Sequence, residues 1–150
     1  MFNRYSTRAL NALFFARKAV ADHGGSSIRD VHLAYGLLQR DEHTTSRLPI
    51  DETVRQALTA CLLARMASEE RLPESMEVPF DSDVRRIFVT TRDVADDRGD
   101  REITVEHMLI AVIREGGDAA ACLREAGIDE ATAERLLPPA PPPSPPTSLR

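Results

Sequence analysis

YSTRALNALFFARKAVADHGGSSIRDVHLAYGLLQR, residues Tyr5–Arg40, and FDSDVRRIFVTTRDVADDRGDREITVEHMLIAVIRE, residues Phe80–Glu115, align without a gap at a constant offset of 75 residues. Matched pairs of unlike chemistry set the register: Arg17 with Arg92, Asp22 with Asp97, Gly24 with Gly99, Ile28 with Ile103 and His32 with His107. Apolar positions coincide as well, as in Tyr5/Phe80, Leu13/Phe88, Leu33/Met108 and Leu37/Val112. The chain is therefore a tandem repeat. Two copies of a small helical unit make a seam and two related surface sites, which suits binding better than a single catalytic pocket.

Working outward, each copy reads as a long helix, a glycine stop and a shorter helix. Ser6 or Thr7 caps the first, with Ala9, Leu13, Ala16 and Val20 on one face and Gly24-Gly25 as its end. Asp30 opens the short helix, which runs through Leu33, Leu37 and Leu38 to about Arg40-Asp41, and Thr44 to Arg47 adds a turn before Pro49. From Asp51, the residues Val54, Ala57, Leu58, Cys61, Leu62 and Met66 form an apolar stripe that ends in Ser68 to Arg71. In the second copy Asp81 caps a helix burying Val84, Ile87, Phe88, Thr91, Val94 and Ala95, and Gly99 ends it. Thr104 caps the next, Glu106 to Glu115. Helices Asp118 to Ala126, stopped by Gly127, and Asp129 to Leu137 complete an all-α pattern of two four-helix repeats.

A length of 150 residues fits one domain, so the repeats are expected to share one core related by a pseudo-twofold axis. The expected organisation is a folded unit over 1–137, with repeat one at 1–70, a linker at 71–79 holding Pro73 and Pro79, and repeat two at 80–137. The tail 138–150, PPAPPPSPPTSLR, cannot be helical and reads as disordered polyproline II chain: a spacer, a ligand for a proline-recognising domain, or an unselected end.

The net charge of −5 argues against nonspecific nucleic-acid binding, which needs a basic surplus. Lys18 is the single lysine among 19 basic residues, which fits either codon usage in a GC-rich genome or bidentate ion pairing. Cys61 and Cys122 lack a CxxC partner and read as buried, reduced thiols, placing the protein in the cytoplasm. With no run of ~18 apolar residues and no apolar leader, neither export nor membrane insertion is expected.

No catalytic pattern stands out. The serines lie outside any GxSxG elbow, the carboxylates alternate with arginines as on solvated faces, and no HExxH or CxxC accompanies the histidines. No metal or cofactor is therefore expected. His32 and His107, each in the first turn of a short helix, read as core histidines that orient the preceding loop.

The strings FNRYSTRALNAL (2–13), IRDVHLAYGLL (28–38), VPFDSDVRRIF (78–88) and ITVEHMLIAVIREGGDAA (103–120) resemble the double N-terminal repeat of Clp/Hsp100 ATPases of the ClpA and ClpC type. Repeat two keeps Val105-Glu106-His107 and Arg114-Glu115-Gly116; repeat one keeps Ser6-Thr7-Arg8-Ala9 but has Asp30-Val31-His32 where the family has Thr-Glu-His. No GxxxxGK[ST] loop is present, and Lys18 lies within a helix, so no ATPase module is. The chain is then either an N-terminal domain cut from a larger unfoldase or a free-standing homologue of actinobacterial type, and the tail ending in Leu149-Arg150, which resembles a natural terminus more than the start of an ATPase, favours the second as the expectation.

The resemblance implies a non-catalytic docking domain for protein or peptide segments, adaptors, a ClpC-type ATPase or phosphoarginine-marked substrates. It implies two sites. One is a phosphoarginine site at Thr104, Val105 and Glu106, where the Glu106 carboxylate pairs with the guanidinium and helix N–H groups face the phosphate. Val31 stands at the matching place in repeat one, so that site is expected to lack its anion. The other is a seam that accepts cyclic peptide antibiotics, formed by Met1, Phe2, Leu10, Leu13, Phe14, Arg17, Pro79, Phe80, Arg85 and Val89. Against the seam stands the simpler reading that Phe14, Phe15 and Val89 fill the inter-repeat core. A decoy that sequesters such peptides is the alternative to an adaptor role.

Overall fold

The computed structural model describes residues 2–39, 46–66 and 78–137. Met1, the helix ends expected at Arg40-Asp41 and Ser68–Arg71, the turn at Thr44, residues 71–77 of the linker and the tail 138–150 lie outside them. Within the described residues the chain is all-α: α1 (Thr7–His23), α2 (Asp30–Gln39), α3 (Glu52–Met66), α4 (Ser82–Arg98), α5 (Val105–Glu115), α6 (Asp118–Glu125) and α7 (Glu130–Glu134).

The caps foreseen from the sequence form. The Ser6 hydroxyl accepts from the Ala9 N–H at 3.1 Å, and Gly24 ends α1 at φ 109°. Asp81 caps α4 and Gly99 ends it in the left-handed conformation, φ 77°, which glycine adopts without a Cβ clash. The six residues expected to be buried on α4 are buried. On α3 the stripe is narrower: Leu58, Leu62 and Met66 are buried, whereas Ala57 is exposed and Val54 and Cys61 are half-buried. Every residue of α5 from Val105 to Ile113 is buried, so this helix runs through the middle of a core built from both repeats.

Backbone pairing joins the repeats reciprocally. Tyr5 of repeat one bridges Ile103 of repeat two, with Ser6 N–H donating to the Ile103 carbonyl and Ile103 N–H to that of Arg4, both at 2.8 Å. Phe80 bridges Ile28 by the same scheme, through Asp81 N–H to Ile28 and Ile28 N–H to Pro79 at 2.9 and 2.8 Å. The two bridges interconvert under the offset of 75. No strand forms among the described residues; these are isolated bridges.

Both core histidines orient their loops as expected. His32 Nδ1 accepts from Arg29 N–H at 3.0 Å, leaving Nε2–H to donate to the Gly24 carbonyl at 2.9 Å. His107 Nδ1 accepts from Thr104 N–H at 2.9 Å, and Nε2–H donates to the Asp100 carboxylate at 2.8 Å. That bond and Arg98 together hold the Asp100 carboxyl below the usual carboxylate range against the opposing effect of burial.

Two contacts tie the helices where the repeat pattern gives no warning. Gly36 of α2 lies so close to α1 that a Cβ there falls 2.5 Å from the Ala12 carbonyl oxygen and 2.8 Å from Ala16 N. The expectation of free thiols is wrong. Cys61 of α3 and Cys122 of α6 form a disulfide with Cα atoms 5.9 Å apart, within the usual range for such bonds. The cytoplasmic placement rested on those thiols being reduced and loses that support. No described helix is long and apolar enough to cross a membrane.

Candidate functional site

Three large apolar side chains are exposed among the described residues: Leu10 at 42%, Phe14 at 63% and Val89 at 50%. All three belong to the expected seam. Leu10 and Phe14 are four residues apart on α1 and so share a face; Val89 on α4 is the repeat partner of Phe14. Phe14 and Val89 therefore do not fill the core, and Phe15, half-buried, packs edge-on against Phe14 with ring centroids 5.4 Å apart.

The remaining seam residues divide. Phe2 and Phe80 come together, 6.1 Å between centroids, but inside an aromatic cluster with half-buried Tyr5 and buried Phe88. Leu13 is buried in the core, Arg17 is half-buried, and Pro79 and Arg85 are exposed. Beside this cluster opens a cleft of about 110 Å³ lined by Arg4, Tyr5, Arg85, Phe88, Val89, Arg92 and Ile103. Burial pushes the Tyr5 phenol up to about 12, against the pull of Arg92 and Arg4.

At the start of α5, Glu106 is buried, and its carboxylate accepts from the Arg8 guanidinium at 3.1 Å, with Arg47 at 3.8 Å. Thr104 is half-buried and Val105 fully buried. The expected carboxylate is thus already paired within the chain.

The equivalent place at the start of α2 differs. Asp30, buried, accepts from its neighbour Val31 N–H and from Ala119 N–H of α6, both at 2.9 Å, so repeat one caps a helix of repeat two. Opposite stands Asp83, which occupies the repeat position of Arg8. Where repeat two has an arginine facing Glu106, repeat one has two carboxylates. They lie along a cleft of about 240 Å³ that also includes Arg29, Arg86, Glu115 and Asp118. Arg29 and Arg65 both pair with Asp118, at 3.0 and 2.8 Å. The swap is written in the sequence at the offset of 75, where Arg8 aligns with Asp83 and Val31 with Glu106.

Burial first, then the Asp30 charge, raises the Asp83 carboxyl above its ordinary value. A carboxyl raised on folding favours the folded state while protonated, and that contribution is lost as pH climbs through the folded-state value. Asp83→Asn should therefore stabilise the protein at pH 7 by no more than about 1 kcal/mol, solvent screening this half-exposed group, with no gain near pH 3. Urea unfolding at the two pH values measures the difference; an equal effect at both would exclude an electrostatic origin.

The fold agrees with that of known proteins. Residues 4–126 match the model of the Clp repeat (R) N-terminal domain, and the chain belongs to that family. Curated relatives are uncharacterized proteins of Mycobacterium tuberculosis and Mycobacterium bovis, each 30% identical over 139 residues, 91% of this chain. The chain spans about half, 53%, of their length. Among solved structures, the N-terminal domain of the chaperone ClpD from Arabidopsis thaliana is similar with a TM-score of 0.68 at 18% identity, covering 90% of this chain and 95% of that one. The Hsp104 N-terminal domain from Candida albicans gives 0.70 at 12% identity, with 89% of each chain covered. At these identities the likeness concerns the fold.

Proposed function

We propose that this chain is a peptide-docking module without chemistry of its own, and that it engages apolar peptide segments on the α1 and α4 surface around Leu10, Phe14 and Val89. The observation that supports the reading is that the large apolar side chains left in solvent, among the described residues, are Leu10 and Phe14 on one face of α1 and Val89 at the repeat-equivalent position of α4. Membership of the Clp repeat family supports a protein-interaction role. Phe2 and Phe80 pack on Phe88, the neighbour of Val89 in α4, and support that side of the surface.

The test is fluorescence polarisation with a labelled cyclic peptide that binds ClpC-type domains and with a labelled apolar linear peptide. The variant Phe14→Ser with Val89→Ser should weaken binding at least about tenfold, the scale of losing buried apolar contacts. Its melting temperature should not change, because neither side chain is buried. Unchanged affinity for both probes would remove the surface from consideration. A pull-down that recovers a ClpC-type ATPase supports the adaptor role, and tight cyclic-peptide binding without ATPase association supports sequestration.

Phosphoarginine recognition is the second reading, and the open cleft at the start of α2 favours it over the closed site at Glu106. Its lining holds Arg29 and Arg86, which pair with Asp118 and Glu115, together with Asp30 and Asp83, so both signs of charge are present for a ligand carrying guanidinium and phosphate. Calorimetry with phosphoarginine separates the two places: lost heat in Glu106→Ala favours α5, and lost heat in Asp83→Asn favours α2.

A further inference from the structure

The cleft beside the aromatic cluster has a chemistry of its own. Arg85, Val89 and Arg92 fall on one stripe of α4 at i, i+4 and i+7, so two guanidinium groups bracket an apolar residue within roughly 10 Å along the axis. Among the described residues the side chains of Arg85 and Arg92 make no ion pair and no hydrogen bond, although the chain is acidic overall. Arg4 is different: Asp96 pairs with it at 2.8 Å, and the Asp100 and Arg101 carbonyls accept from it, so it is a fixed wall with its charge spent. The floor is apolar and buried, with Phe88 at 5% and Ile103 at 2% exposure, and Tyr5 lines the cleft beside them.

We propose that this cleft takes the free C-terminal carboxylate of a peptide whose last side chain is apolar or aromatic, with Arg85 and Arg92 holding the carboxylate and Tyr5, Phe88 and Ile103 receiving the side chain. The inference deepens the peptide-docking reading and rests on it, since Arg85 and Val89 belong to both surfaces. A terminal residue presents an anion and an apolar group on one carbon, which is the combination the lining offers. A volume of about 110 Å³ admits one side chain rather than a folded partner. A phosphate group fits less well: it calls for donors around three oxygens, while the apolar floor leaves donors on one side only. The planar carboxylate matches the fork of a guanidinium with two parallel N–H groups.

The experiment uses the full chain and a fluorescein-labelled peptide ending in Ala-Leu-Phe, prepared once with a free carboxylate and once as the C-terminal amide. In the wild type the acid should bind about tenfold more tightly than the amide, the value of one charge-assisted hydrogen bond, and the preference should shrink as salt rises. In Arg85→Gln with Arg92→Gln the two forms should bind within about twofold of each other; both side chains are exposed, and a thermal melt checks the fold. Equal binding of acid and amide to the wild type, both weakened by Phe14→Ser, overturns the carboxylate clamp and leaves peptide docking standing. A preference for the acid that survives in the double variant overturns the residue assignment. Binding of neither peptide overturns both.

Discussion

Gly36→Ala should destabilise the protein by about 3 kcal/mol, the upper end of what overpacking costs. The sign is the informative part. Gly36 lies within α2, and in a free helix alanine is better than glycine by ~1 kcal/mol, so local propensity alone predicts a more stable variant. The packing predicts the opposite, because the added methyl falls 2.5 Å from the Ala12 carbonyl oxygen and 2.8 Å from Ala16 N. Those are backbone atoms of α1 and cannot rotate aside. The small residues Ala12 and Ala16, both buried, are what let α2 approach so closely. The corresponding position in repeat two is Ala111, so α4 and α5 stand far enough apart to admit the methyl that α1 and α2 exclude. Denaturant unfolding followed by circular dichroism measures the change; a variant as stable as the wild type would mean that the close crossing does not exist in solution.

Reducing the disulfide should cost about as much. Cys61 and Cys122 are 61 residues apart, and closing a loop of that length removes chain entropy from the unfolded state worth about 4 kcal/mol. Domains of this size are stable by roughly 5–15 kcal/mol, so the bond holds a large share of the total. The bond also spans the repeats, fastening α3 of the first to α6 of the second. Urea titrations with and without a thiol reductant should differ by that amount, and a variant with Cys61→Ala and Cys122→Ala should unfold at the reduced midpoint whether or not reductant is present. Superimposable wild-type curves would show that the bond contributes nothing to the fold.

How much of this was legible in the sequence depends on the range of the interaction. Caps and helix stops act within four residues, and Ser6, Gly24, Asp81 and Gly99 behave as read. The α4 face was legible because its residues face the core at a regular helical period. Farther-reaching features were not. Local spacing does not show that Cys61 and Cys122 meet, and the repeat adds nothing, since Cys61 aligns with Leu136 and Cys122 with Arg47. The stripe on α3 was read too wide because periodicity shows which residues share a face but not how much of that face is covered. At the candidate sites, Leu10, Phe14 and Val89 were identified from their positions, while their exposure needed the packing of the whole molecule. The partner of Glu106 was hidden for the same reason, as Arg8 lies 98 residues away in the chain.

The reciprocal bridges Tyr5–Ile103 and Phe80–Ile28 have the form of a self-complementary contact between two identical subunits, in which residue i of one meets residue j of the other and the reverse. A true homodimer with that contact carries every substitution twice, so a charge reversal on one side appears on both. Joining the copies in a single polypeptide lifts that restriction. Each half evolves under its own selection while the shared scaffold keeps its symmetry, and an arginine facing Glu106 coexists with an aspartate facing Asp30. In one polypeptide the two related positions are free to differ in charge, which two identical subunits could not do.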